Sequence, residues 1–145
     1  MKTGADQRNV GGLVGMNEGK IENVNTSGTI HSEFQDVGGL IGYNESGGEV
    51  TISQSAANVT GSHYVGGLIG SNRENVSYSY ATGDVASDGD AGGLIGNNND
   101  GSVSYVYATG DVTSDGDAGG LIGLNNIPVS FAYATGEVEG VMVGG

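Results

Sequence analysis

The sequence predicts an all-β chain folded as a single right-handed parallel β-solenoid of about five coils, each 25–28 residues long. Three observations carry that prediction. One short string recurs five times, the residues between its copies are strand and turn formers with no helical period, and blocks of constant length alternate with blocks that vary.

The string is Gly-Gly-Leu-(Ile/Val)-Gly. It begins at Gly11, Gly38, Gly66, Gly92 and Gly119, and a bare Gly-Gly follows at Gly144. Such intervals are shorter than helical hairpin repeats of about 33 to 47 residues and suit one turn of a β-solenoid. Val, Ile, Thr and Tyr fall in short runs broken by Gly, Asn, Asp and Ser, and no α-helix is expected anywhere.

Each coil reads as two constant blocks joined by variable turns. The first block is the glycine string, one free position and an Asn, at Asn17, Asn44, Asn72, Asn98 and Asn125. An Asn repeated at a corner is expected to hydrogen-bond its copies above and below as an amide ladder. The paired glycines are expected to allow close backbone approach or a positive φ.

The second block has ten residues and spans 21–30, 50–59, 76–85, 103–112 and 129–138. Strict alternation puts Val76, Tyr78 and Tyr80 on one face and Ser77, Ser79 and Ala81 on the other. The first coil has Asn23 and Asn25 in the tyrosine columns, so the small residues are expected inside and the tyrosines outside. Alternation cannot bury adjacent Leu and Ile together, which leaves the facing of Leu40 and its copies open.

The whole chain, 1–145, reads as one array with partial coils at both ends. Thr3-Gly4 echoes Thr82-Gly83, so residues 1–9 are expected to be the tail of an earlier coil, and Val143-Gly144-Gly145 the opening of a later one. Five coils at about 4.8 Å make a rod only about 24 Å long. Neither end shows a polar cap, so the partners expected are neighbouring repeats or copies of the chain itself, met through open solenoid ends.

Composition narrows the chemistry. Asp and Glu number 17 against 4 Lys and Arg, for a net charge of −13, which repels nucleic acid and anionic membranes. No apolar run reaches the roughly 18 residues of a membrane span, so no membrane insertion is expected. There is no Cys, and the two histidines, His31 and His63, fall in different columns. Thiolate chemistry is excluded, a multi-histidine metal site is nearly so, and no cofactor is expected. No helix start or Lys follows the glycine strings, as a phosphate loop would require.

Tyr80-Ala81-Thr82-Gly83, Tyr107-Ala108-Thr109-Gly110 and Tyr133-Ala134-Thr135-Gly136, each following Gly-Gly-Leu-Ile-Gly and an Asn, resemble the GLUG repeat family. The likeness covers essentially the whole chain, although the first two coils degrade the second block to Asn25-Thr26-Ser27-Gly28 and Gln54-Ser55-Ala56-Ala57. It implies a large secreted or cell-surface microbial protein of adhesin type, in which such repeats are passive scaffold or attachment modules. The motif brings no catalytic residue with it.

Two features suggest ligand chemistry. Ser87-Asp88-Gly89-Asp90 recurs one coil later as Ser114-Asp115-Gly116-Asp117, placing Asp88 near Asp115 and Asp90 near Asp117, with a third acidic column at Asp84, Asp111 and Glu137. Like charges about 5 Å apart repel by roughly 0.8 kcal/mol in water. Calcium, which accepts six to eight oxygens, is a candidate ligand for Asp88, Asp90, Asp115 and Asp117, and a salt-screened acidic face is the simpler reading. The columns Tyr78, Tyr105, Phe131 and Tyr80, Tyr107, Tyr133 would form outward aromatic ladders able to hold sugar rings or a protein surface, or merely to stiffen the coil. Sequons begin at Asn25, Asn44, Asn58 and Asn75.

The function expected is non-enzymatic: a stalk, scaffold or adhesion segment of a larger surface or secreted protein, with its secretion signal outside this chain. The alternatives are a subunit polymerising head to tail into an extracellular fibre and a glycan-binding module using Tyr80, Tyr107 and Tyr133.

Overall fold

The computed structural model describes residues 8–144 and is all-β, with no helix among them. Four parallel sheets run along the stack, and each coil contributes to every one. Sheet A holds Asn9–Gly11, Asp36–Gly38, Tyr64–Gly66, Asp90–Gly92, Asp117–Gly119 and Met142–Gly144. Sheet B holds Val14–Asn17, Ile41–Asn44, Ile69–Asn72, Ile95–Asn98 and Ile122–Asn125. Sheet C has Val76–Ala81, Val103–Ala108 and Val129–Ala134; in the first two coils its strand is split, into Ile21–Glu22 with Asn25–Thr26 and Val50–Thr51 with Gln54–Ser55. Sheet D holds Thr29–His31, Asn58–Gly61, Val85–Ser87, Val112–Ser114 and Val138–Glu139.

Each ladder pairs a residue with its copy one coil away: Val37 with Val65, Asn44 with Asn72, Tyr80 with Tyr107, Val85 with Val112. The molecule is therefore a parallel β-solenoid of about five turns, as the repeat predicts. The ten-residue block, which reads as one strand, is in fact a sheet C strand, a corner and the start of a sheet D strand. The expected later coil begins as Met142–Gly144, paired with Asp117–Gly119. Of the expected earlier coil, residues 1–7 lie outside the described residues.

The interior divides in two. One cluster joins Ile41, Ile69 and Ile95 of sheet B to Val50, Val76 and Val103 of sheet C, with Leu40, Leu68 and Leu94 among them. The other joins Val37, Val65 and Ala91 of sheet A to Val59, Val85 and Val112 of sheet D. Leu40 and Ile41 are both wholly buried, which settles the facing left open by alternation. Leu40 stands in the corner between a sheet A strand ending at Gly38 and a sheet B strand starting at Ile41, where the chain turns and the two-residue period lapses.

Close approach, not left-handed backbone, explains the glycine string. A Cβ on Gly66 would collide with the carbonyl oxygen of Ile69 across the corner, and its φ lies outside the left-handed range. At the third glycine of the string, a Cβ on Gly70 would strike the backbone of Asp36 and Val37 one coil earlier, so sheets A and B touch backbone to backbone.

The amide ladder is present. Asn17 Nδ2 donates to Asn44 Oδ1 at 2.9 Å, Asn44 to Asn72 at 2.8 Å, Asn72 to Asn98 at 2.9 Å and Asn98 to Asn125 at 2.9 Å. The second amide hydrogen closes the turn: Asn72 Nδ2 also reaches the Glu74 carbonyl at 2.6 Å. One residue type thus satisfies both the corner and the stack, in a bend that excludes water.

Candidate functional site

The outer face of sheet C carries the aromatic columns. Tyr78 and Tyr105 stack with centroids 4.8 Å apart at 4°, Tyr105 and Phe131 at 4.8 Å and 5°. Tyr80 and Tyr107 stack at 4.5 Å and 6°, Tyr107 and Tyr133 at 5.1 Å and 4°. Parallel strands in register place each ring over its copy, so the coil repeat itself fixes the stacking distance. Burial between neighbouring rings, followed by the charges that Tyr80 and Tyr133 would carry, raises the pKa of the central Tyr107 above the ordinary 10.0.

The tyrosines face outward as expected, with Ser79 and Ala81 inside, but Val76 and Ser77 exchange places: Val76 is fully buried and Ser77 lies half-buried at the surface. The cause is a column of left-handed residues without a glycine among them. Asn23, Ile52, Tyr78, Tyr105 and Phe131 have φ of 58°, 50°, 49°, 53° and 51°. The ladder pairing skips this position, joining Ser77 to Ser104 and Ser79 to Val106, so two successive side chains point outward and alternation shifts by one.

Such a conformation costs about 1–2 kcal/mol for a non-glycine residue and most for a β-branched one such as Ile52. Backbone donors displaced by the bulge find hydroxyls instead. Ser53 N–H donates to Ser79 Oγ at 3.1 Å, and Val24 N–H to Ser53 Oγ at 3.2 Å. The sequence gives no sign of the bulge, because its usual marker is a glycine.

The aromatic columns stop at the third coil. Asn23 and Ile52 continue the Tyr78 column, and Asn25 and Gln54 the Tyr80 column. At that step lie two adjoining grooves of about 250 and 200 Å³, and Asn25, Gln54 and Tyr80 line both. The first also touches Asn23, Ile52 and Tyr78. No charged side chain lines either groove, in a chain of net charge −13.

The acidic columns lie elsewhere. Asp88 and Asp115 share an open cleft of about 590 Å³ over sheet D with His31, Glu33 and Thr60, whereas Asp90 and Asp117 begin sheet A strands and do not line it. Asp90 Oδ1 accepts the Asp117 N–H at 2.9 Å. The third column behaves in the same way, with Asp84 accepting from the Asp111 N–H and Asp111 from the Glu137 N–H, each at 2.9 Å. In these two columns backbone donors therefore offset part of the repulsion between like charges. Among the described residues no three His, Asp or Glu side chains converge as a metal site would need.

His63 packs its ring against Tyr64, with centroids 4.3 Å apart. Nearby, Asp36 is buried and accepts a short hydrogen bond from Ser71 Oγ, a pair that sequence spacing does not reveal because it crosses between sheets A and B. Burial raises the Asp36 pKa, against the opposing pull of Ser71 and His63. Of the sequons, Asn25, Asn58 and Asn75 are exposed, while Asn44 is fully buried in the amide ladder and cannot be reached.

The model of the GLUG motif matches residues 6–30, 61–86 and 87–113, more than half of the chain. The chain belongs to the GLUG-motif family. The matched spans leave out residues 31–60, the coil in which the second block reads Gln54-Ser55-Ala56-Ala57, and residues 114–145, although these carry Tyr133-Ala134-Thr135-Gly136. Searches of curated proteins and of solved structures found no match.

Proposed function

We propose that this GLUG array is a non-enzymatic stalk or scaffold segment of a larger cell-surface or secreted protein. The observation that carries the reading is the continuity of the asparagine ladder, which joins every coil to the next through side-chain amides that are buried from Asn17 to Asn98 and end at the exposed Asn125. Two aromatic stacks reinforce three of the coils on the outside. Each coil contacts chiefly its neighbours, so stiffness and stability grow with coil number while no single coil is special. The acidic surface keeps such an array soluble. The coil face is also the surface through which further coils, of the same chain or of another copy, would join.

The test is a length series in which residues 92–118, one whole coil, are duplicated once and then twice within the chain. Small-angle scattering should show the long dimension growing by about 4.8 Å per added coil, and the melting temperature should rise with each. A dimension or a melting temperature that does not follow coil number overturns the reading.

A further inference from the structure

We infer that the groove at the foot of the aromatic ladders, where Tyr78 and Tyr80 meet Asn23, Asn25, Ile52 and Gln54, is a binding subsite for one pyranose unit of a neutral glycan. The inference is independent of the stalk reading.

Three features of the groove point to that ligand class. First, Tyr78 and Tyr80 are the first rings of their stacks: each has a ring on one side only, with Ile52 or Gln54 in the column on the other. A ring with an unstacked face takes up the C–H face of a sugar as it would another ring, by dispersion and C–H contact with the π-system. Second, the amides of Asn23 and Asn25 are exposed and that of Gln54 half-buried, all bordering the same groove. Each amide carries two donors and an acceptor, matching hydroxyls that both give and receive hydrogen bonds. The contrast with Asn44 and Asn72, whose amides are fully buried and bonded to one another, is one of position in the coil.

Third, the lining is uncharged although acids outnumber bases 17 to 4 in the chain. A basic peptide would be drawn to the acidic columns over sheet D, and an acidic ligand would be repelled by the chain as a whole. A neutral, hydroxyl-rich ligand meets neither obstacle. At about 250 and 200 Å³ the two grooves are small for a drug-sized ligand and suit one ring each of a short oligosaccharide.

The experiment titrates the intact chain with cellohexaose, mannohexaose and xylohexaose, following the side-chain amide signals of Asn25 and Gln54 by nuclear magnetic resonance. At least one of these neutral oligosaccharides should shift both signals saturably. Gln54→Tyr, which continues the ladder and fills the groove, should weaken calorimetric binding more than about 10-fold while the melting temperature holds or rises. Tyr133→Ser, at the far end of the same column, should leave affinity within about two-fold. The inference is overturned if none of the three moves those signals at millimolar concentration, if binding survives Gln54→Tyr, or if it is lost with Tyr133→Ser.

Discussion

Sheet C is built twice in this molecule, once from the first two coils and once from the next three. Coils three to five use unbroken six-residue strands, each carrying two aromatic rings that stack on their copies. In coils one and two the same path is divided into two-residue strands, with Asn23, Asn25, Ile52 and Gln54 in the ring columns. Yet the left-handed residue persists in both halves, at Asn23 and Ile52 as at Tyr78. The bulge is therefore a property of the coil's path and not of the rings. What the rings add is lateral order, and only where two successive coils both have one.

The asparagine ladder spans both halves, so cutting it at its centre should have the largest effect. Asn72→Ala removes the bonds to Asn44, Asn98 and the Glu74 carbonyl from a fully buried corner and strands the partners. It should cost about 3 kcal/mol in urea denaturation. Asn17→Ala, at the first rung, has only one ladder neighbour, Asn44, and should cost about 1 kcal/mol. Equal losses would mean that the rungs act singly and that the corner, not the stack, is what they stabilise.

Within the aromatic half, Tyr107→Ser breaks two ring contacts and Tyr80→Ser one. Expected losses are about 2 and about 1 kcal/mol, in the same urea experiment. The spectroscopic counterpart is an alkaline titration by ultraviolet absorbance. Tyr107 should ionise above the ordinary 10.0, and Tyr133→Ser, which takes away one of the causes, should bring it part of the way back.

The repeat made the coil number, the outward tyrosines and the asparagine ladder legible, because each of them depends on a residue recurring in one column. What stayed hidden was conformation without a residue signature. Val76 and Ser77 trade faces because Tyr78 adopts a φ of 49°, and nothing about a tyrosine announces that. The burial of Leu40 beside Ile41 depends on a corner falling between them, and corners show in a sequence only where turn length varies. The Asp36–Ser71 pair joins different coils across two sheets that touch only because glycines allow it. Both grooves at the ladder's foot exist because consecutive coils differ, and a search for sameness passes over differences.

The smallest effect expected separates two carboxylates of sheet A. Both begin a strand, Asp36 in the second coil and Asp90 in the fourth, but Asp36 is 8% exposed and bonded to Ser71, whereas Asp90 is half-buried and accepts a backbone N–H. Burial raises the Asp36 pKa above 3.8, so the folded state holds that proton to higher pH than the unfolded chain does. Its contribution to stability is present in full below the unfolded value and declines as pH rises through the folded one. Asp36→Asn leaves an acceptor for Ser71 and no charge to bury. The variant should match the parent near pH 3 and exceed it by on the order of 1 kcal/mol at pH 7. Asp90→Asn, which keeps an acceptor for the Asp117 N–H, should change stability by less than about 0.5 kcal/mol at pH 7. A gap between Asp36→Asn and the parent that stays constant from pH 3 to pH 7 would assign the effect to packing against Ser71 and remove the charge from the argument.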